Sequence, residues 1–414
     1  MDKIIYCKKC LYTSEHPFGI TFNNDGICSG CLTHEEKYKI DWEKKLFELK
    51  EILKLNNKVK SRSVYDCVVP VTGDSNSFYI LDFVINKLKL NPLAVVYNKH
   101  WNTEVGIKNL ALMKTTFNCD FYQKNTNPNL VRKITQYALS KFKSSYWHIH
   151  AGHYVLPIQI AVEFDIKFVI WGAHEGVEQV GMFSHYDNVE MTYRHWLDHH
   201  LSGIGPDKFC TVFDSFNSPD LLAYEYPSFD SIFSTGVRGI YLSNYSLWDP
   251  SEQNQYVRNK YKTYTHKHLR TFDIFDHVEC YNYMNLHDYC KFLKLGYSKV
   301  TDHLCREIRH KRISRDSAII MLRNKEKEPI LYLDLFEKWA NIESSSWDFL
   351  FSEISNSKFI NQLYPNKYQP NPLSNGLVSG NNRWVSDRFE DIFFKTDDRT
   401  IEMGSKYITI GKGI

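Results

Sequence analysis

Residues 66–77 read Asp66-Cys67-Val68-Val69-Pro70-Val71-Thr72-Gly73-Asp74-Ser75-Asn76-Ser77. A short unbroken apolar run ends abruptly in small and hydroxyl-bearing residues, then Phe78-Tyr79-Ile80-Leu81 opens a helical pattern. An apolar run of this length fits a strand covered on both faces, as in a parallel sheet flanked by helices. Working outward, PLAVVYN (92–98) reads as a second strand with a helix over 103–117. Residues 119–123 read as a third strand with a helix over 129–142. KFVIWG (167–172) follows a helix near 153–164 as a fourth strand, and GIYLSNYSLW (239–248) supplies a fifth. The alternation predicts an α/β fold, a doubly wound, mostly parallel sheet. Ligands of such sheets bind beyond the carboxyl ends of the strands. That directs attention to 72–77, 97–109, 125–128, 171–181 and 245–249.

Upstream, Cys7 and Cys10 form one CxxC pair and Cys28 and Cys31 a second. Two-residue spacing lets both thiolates of a pair reach one ion, and two pairs complete a tetrahedral cage. Four thiolates leave no open coordination position, so the expected Zn2+ is structural. Asp25-Gly26 before the second pair fits a tight turn. The other cysteines, at 67, 119, 210, 280, 290 and 305, are scattered and read as structural. The expected divisions are a zinc-ribbon-like module over 1–40, the α/β domain over 41–255, and a mainly helical region with an irregular tail over 256–414.

The chain has 51 basic and 48 acidic side chains in 414 residues, a net charge of +3. A protein that grips nucleic acid usually shows a basic excess or stripe, and none is evident. No apolar run approaches the ~20 residues that span a bilayer. The N-terminus MDKIIYCKKC lacks a secretory core, so the expected compartment is the cytoplasm. Helices are expected over 285–295, 301–323 and 328–355. The segment NGLVSGNNRWVSDRFED (375–391) suggests no function.

At the loop, backbone N–H groups and the helix dipole favour a phosphate. Thr72, Ser75 and Ser77 add hydroxyls, and Gly73 permits close backbone approach. A Ser/Asn-rich helix cap looks much the same, so the loop alone decides nothing. His148 and His150 alternate about Ile149 and, in an extended segment, would share a face. A hydrogen-bonded structural role is the commoner one for such histidines.

The loop resembles the PP-loop of ATP pyrophosphatases. An ordered set of motifs extends the likeness from residue 6 to about 325: YCKKC (6–10), GICSGC (26–31), DCVVPVTGDSNS (66–77), NTEVGIKNL (102–110), HAG (150–152), VIWGAHEGVEQVG (169–181), GIYLSNYSLWD (239–249) and KLGYSKVTDHLCREIRHKRISRDSA (294–318). In these the chain is similar to the N-acetyl sugar amidotransferase family, the PseA/WbpG-like proteins of surface-polysaccharide, O-antigen and nonulosonic-acid (pseudaminic or legionaminic) biosynthesis.

The resemblance implies a HUP/PP-loop fold. It also implies an ATP- and Mg2+-dependent ligase that turns an N-acetyl group of a sugar into an acetamidino group. Ammonia would come from a HisH-like glutaminase through a HisF-like channel subunit. It further implies nucleotide contacts from Thr72, Gly73, Ser75, Asn76, Ser77, Asn98, Asn102, Trp171, Gly172 and Arg309. The implied catalytic groups are Asp74, His150, Glu178, Asp302 and His303. The family's loop reads SGGKDS, whereas Thr72, Asp74 and Asn76 depart from it here, and Ala173 replaces the Glu of WGEN. A divergent active enzyme and a weakened homologue that binds glutaminase subunits both fit those departures. A PP-loop tRNA thiolase, which also carries zinc knuckles, is a further alternative.

Overall fold

Every residue of Cys67–Pro70 and of Pro92–Tyr97 is buried, and successive side chains enter two different cores. Val68, Leu93, Val95, Tyr97, Val169 and Trp171 belong to one apolar cluster. Val69, Val71, Ala94, Val96, Phe168 and Ile170 belong to another. This two-residue alternation between two cores is the signature of a sheet with helices on both faces.

The computed structural model describes residues 4–57, 63–212, 216, 218–356, 360–364, 367–370, 372–378, 389, 392–401 and 407–409. Much of the 375–391 segment and the side chain of Cys210 lie outside the described residues. The sheet strands are β1 (Cys67–Pro70), β2 (Pro92–Tyr97), β3 (Asp120–Lys124), β4 (Phe168–Trp171) and β5 (Arg238–Tyr241). They lie in the order β3-β2-β1-β4-β5, all parallel. Register pairs are Val69↔Ala94, Val68↔Val169 and Ile170↔Ile240. The chain runs outward from β1 to β3, then crosses back to place β4 on the other side of β1. The switch point therefore lies between β1 and β4. Pro70, last in β1, has no N–H to donate, and the β1–β4 ladder carries the single pair Val68↔Val169.

The helices that matter here are α1 (Ser29–Glu36), α2 (Trp42–Asn57), α3 (Ser75–Asp82), α4 (Glu104–Thr116), α5 (Pro128–Phe142), α6 (Trp147–Glu163), α7 (Glu175–Glu178), α8 (Pro250–Tyr261), α9 (Tyr281–Leu295), α10 (Lys299–Arg309) and α11 (Arg315–Glu326). The expected continuous helix over 301–323 is broken, because Ser314 caps a new helix by accepting from the Ser317 amide. α6 begins six residues before the expected 153. Consequently His148 and His150 sit on a helix, about 200° apart around its axis, and do not share a face. His148 Nδ1 meets the Tyr97 hydroxyl at 3.1 Å, while His150 faces Tyr146, His200 and His287.

The cysteine module is not an appended bead. Cys7, Cys10, Leu11, Tyr12, Cys28 and Cys31 share one core with Val180 and with Val300, Leu304, Cys305 and Ile319 of α10 and α11. Lys37, just after α1, is buried, forms an ion pair with Glu178 and donates to the Trp248 carbonyl at 2.8 Å. The module thus packs on the loops beyond β4 and β5.

Candidate functional site

The four sulfurs of Cys7, Cys10, Cys28 and Cys31 lie within 4.8 Å of one another, all buried, with Cys10 Sγ and Cys28 Sγ 3.5 Å apart. Tetrahedral zinc with ~2.3 Å Zn–S bonds requires sulfurs a little under ~4 Å apart, so the set fits a structural zinc. Cys7 Sγ also accepts the backbone N–H groups of Lys9, Cys10 and Cys28 at 3.3–3.4 Å. Arg309 completes the surroundings. Its Nε donates to Cys31 Sγ at 3.5 Å, Nη2 reaches Cys28 and Cys10 Sγ at 3.8 and 4.0 Å, and Nη1 donates to the Gln179 carbonyl at 2.6 Å. A cation here offsets the excess negative charge of four thiolates on one divalent ion. Although Arg309 borders the cavity described next, its donors are committed to the cysteine cluster, where the sequence pointed to a phosphate.

The loop after β1 turns into α3 with Asp74 as N-cap. Asp74 Oδ1 accepts from the Ser77 amide at 2.9 Å and from Ser77 Oγ at 2.8 Å, and Ser77 Oγ accepts from the Thr72 amide at 2.9 Å. By helix geometry the Ser75 and Asn76 amides remain as first-turn donors. Ser75's side chain is buried. Asp74 Oδ2 has no partner among the described residues. Burial, and next the nearby Glu279 carboxylate, push the Asp74 pKa up to about 6. Gly73 does permit close approach, but of protein: a Cβ there would stand 2.4 Å from the Gly106 carbonyl of α4. Asn109 fastens the same contact, donating to the Gly73 carbonyl at 2.8 Å.

Beyond the β1–β4 switch point lies a cavity of about 340 Å³. Thr72, Asp74, Asn76 and Ser77 form one wall, and Trp171, Gly172 and Glu178 a second. Asp302, His303 and Arg309 of α10 close a third. Gly73, Asn98 and Asn102 line a neighbouring cavity of about 240 Å³, which shares Thr72 with the first. His150 borders neither; His153, one turn further along α6, occupies the wall expected for it.

Glu175 and Lys299, which lie in stretches the sequence points to, also line the larger cavity; His34, Asp276, His277, Arg306 and His310 in the larger cavity and Lys99 and Glu279 in the smaller were not among the candidates. His34, Asp276, His277 and Glu279 come from segments that no quoted motif covers. Lys99 and Glu279, 180 positions apart, form a buried ion pair at 2.6 Å.

The electrostatics of the third wall are tightly paired. Burial works to raise the Asp302 pKa, but Lys291 at 2.6 Å and Lys299 nearby overcome it and hold the carboxyl well below its usual range. Tyr12 of the cysteine module also donates to Asp302 at 2.8 Å. His303 is held at both ring nitrogens, by Thr271 Oγ1 at 2.7 Å and Asp276 Oδ2 at 3.1 Å. Arg306 bridges Asp273 at 2.6 Å and Asp276 at 3.5 Å. The clusters Asp273/Asp276/His303 and His277/Glu279/Cys280 have metal-like spacing. Each already contains a paired cation, Arg306 and Lys99 respectively. For Glu178, burial outweighs the pairing with Lys37 and the pKa is raised.

The fold and site therefore define an α/β protein with a parallel sheet, a four-cysteine module and a polar cavity at the switch point. Residues 258–369 match the family model described as LPS biosynthesis protein WbpG-like, C-terminal domain. That segment contributes Asp276, His277, Lys299, Asp302, His303, Arg306 and Arg309 to the cavity. It supports the WbpG/PseA-like resemblance and a role in polysaccharide-precursor biosynthesis. The chain is also 33% identical over 103 residues to an uncharacterized protein of Methanocaldococcus jannaschii. That match covers 25% of this chain and 36% of the relative's length. No helix among the described residues is long and apolar enough to cross a membrane.

Proposed function

We propose that the chain is an ATP-dependent amidotransferase that converts the acetamido group of a sugar precursor into an acetamidino group. The observation that carries this reading is the cavity itself. It joins a strand–loop–helix anion site to a wall supplied by the WbpG-like segment, at the position where open parallel sheets bind ligands.

An amide carbonyl is a poor electrophile with a poor leaving group. In the proposed sequence the amide oxygen attacks the α-phosphorus of ATP and pyrophosphate leaves. The amide loses its proton and becomes an imidate carrying AMP. Ammonia adds to the imidate carbon and AMP departs, so amide, ATP and ammonia give amidine, AMP and pyrophosphate. The chain's contribution is orientation and charge stabilisation. The Ser75 and Asn76 amides, with the Thr72 hydroxyl, cradle phosphate, while Ser77 Oγ, committed to Asp74 and the Thr72 amide, holds the loop in shape. Asn98 and Asn102 contact the nucleoside in the adjoining cavity. Asp74, with Oδ2 unpartnered among the described residues and a carboxyl whose charge burial disfavours, suits a magnesium ion. When bound, the ion would supply charge neutralisation to the leaving pyrophosphate. In this reading ammonia comes from a HisH-like glutaminase through a HisF-like channel subunit.

The test is pyrophosphate release from ATP, measured with candidate N-acetyl sugars and ammonium. Release that requires both sugar and ammonium is expected. Tight binding of glutaminase subunits without any release would reject the enzyme in favour of a scaffold.

A further inference from the structure

Three permanent cations line the larger cavity: Lys299, Arg306 and Arg309. Arg306 is paired with Asp273, Asp276 and Glu307. Arg309 is held by the cysteine sulfurs and the Gln179 carbonyl. Lys299 differs. Its side chain is half-buried in the cavity wall, and its ammonium has no hydrogen-bond or ion-pair partner among the described residues.

Its position is fixed through the backbone. The Lys299 amide donates to Asp288 Oδ1 at 2.5 Å, and Asp288 is itself paired with Arg270 at 3.1 Å. Lys299 is also the first residue of α10, where a positive charge meets the positive end of the helix dipole. A cation at that position does not serve the helix. Its charge acts on Asp276, Asp302, His150 and His277. The charges acting most strongly on Asp74, in the loop wall, are instead Glu279 and Asp276. Lys299 thus belongs to the cavity wall built by α10, a different element from the loop after β1 that would cradle the nucleotide.

We propose that Lys299 receives the anionic end, phosphate or carboxylate, of the sugar substrate, and so selects charged N-acetyl sugars over neutral ones. This rests on the sugar-modifying reading above. A compact ammonium on a flexible stem suits either anion as a point charge.

The experiment is equilibrium binding of four probes, without turnover, to the full chain and to its Lys299→Met and Lys299→Arg variants. The probes are UDP-N-acetylglucosamine, N-acetylneuraminic acid, neutral N-acetylglucosamine and ATP. Lys299→Met should weaken at least one charged sugar by about tenfold or more, the range of a lost charge-assisted hydrogen bond. Neutral sugar and ATP should be unaffected, and Lys299→Arg should recover most of the loss. Loss confined to the UDP-sugar identifies phosphate, and loss confined to the acid identifies carboxylate. Since the lysine opposes the helix dipole, Lys299→Met should melt no lower than the parent protein, which separates binding loss from misfolding. Overturning results are equal loss for neutral sugar, loss for ATP alone, no loss, or no binding of either charged sugar to the parent protein. Binding of charged sugar that depends on Lys299, without pyrophosphate release, would reject the ligase reading and leave this assignment standing.

Discussion

The guanidinium of Arg309 occupies the space that a side chain on Gly30 would fill: a Cβ there would lie 2.4 Å from Nη2 and 2.6 Å from the Gln179 carbonyl. The glycine inside the second CxxC pair therefore lets a cation from α10 reach the cysteine cluster. The same approach ties that cluster to the loop after β4. Cysteine module and cavity wall meet at one arginine.

Gly30→Ala should displace Arg309 or open the contact with Gln179. An overpacked site of this kind typically loses about 1–3 kcal/mol. The expected outcome is a lower melting temperature together with reduced zinc content, read by denaturation and by elemental analysis of the purified chain.

Arg309→Met should be more damaging than its change in volume suggests. It removes the positive charge beside four thiolates and leaves the Gln179 carbonyl without its donor. Removing one partner of a buried charge set costs about 3–5 kcal/mol. A variant that retained full zinc content and parental stability would show that the guanidinium plays no part in holding the cluster.

Asp74→Asn separates stability from function. The Asp74 carboxyl titrates at about 6 in the folded chain against an ordinary value of 3.8, chiefly because burial disfavours its charge. The unfolded chain releases this proton first as pH rises, so the native state loses stability between pH ~4 and ~6 and stays lower above that. The loss amounts to no more than about 3 kcal/mol, at 1.36 kcal/mol per pKa unit. Asparagine caps a helix about as well as aspartate and removes the penalty. The variant should therefore match or exceed the parent in urea at pH 8, with the difference shrinking below pH ~4. Under the proposed function it should also lose most of its magnesium-dependent pyrophosphate release.

Stripping the metal should affect the cavity as well as the module. The cysteines share a core with α10 and α11, and Lys37 reaches Glu178 and the Trp248 carbonyl. Chelation under denaturing-free conditions should expose apolar surface, detectable with a hydrophobic dye, and weaken ligand binding. Unchanged ligand affinity in metal-free protein would mean that the module does not support the cavity.

The strands were legible because a parallel sheet buried on both faces leaves short apolar runs such as Val68–Val71 and Leu93–Val96; the order in which they pair comes from the structure alone. The cysteine pairs were legible because metal ligation imposes local spacing. The start of α6 was not, since Trp147-His148-Ile149-His150 belongs to a helix buried almost all round and carries no amphipathic period. Nor could the sequence reveal Lys299 as a cation without a partner among the described residues or Arg309 as a paired one. Both lie on one helix in a mixed-charge stretch, and only partners drawn from residues 10, 28, 31 and 179 distinguish them. Asp74 was read as a departure from a motif; its capping bond to Ser77 gives that departure a structural cause.

The most direct measurement is mass spectrometry of an N-acetyl sugar incubated with the protein, ATP, magnesium and isotopically labelled ammonium. The account predicts a product lighter than the sugar by the difference between an oxygen atom and an NH group in a parallel incubation with ordinary ammonium, raised back by the mass of the label with labelled ammonium, and formed only with ATP. Unchanged sugar across charged N-acetyl substrates, with ATP bound and ammonium present, would contradict it.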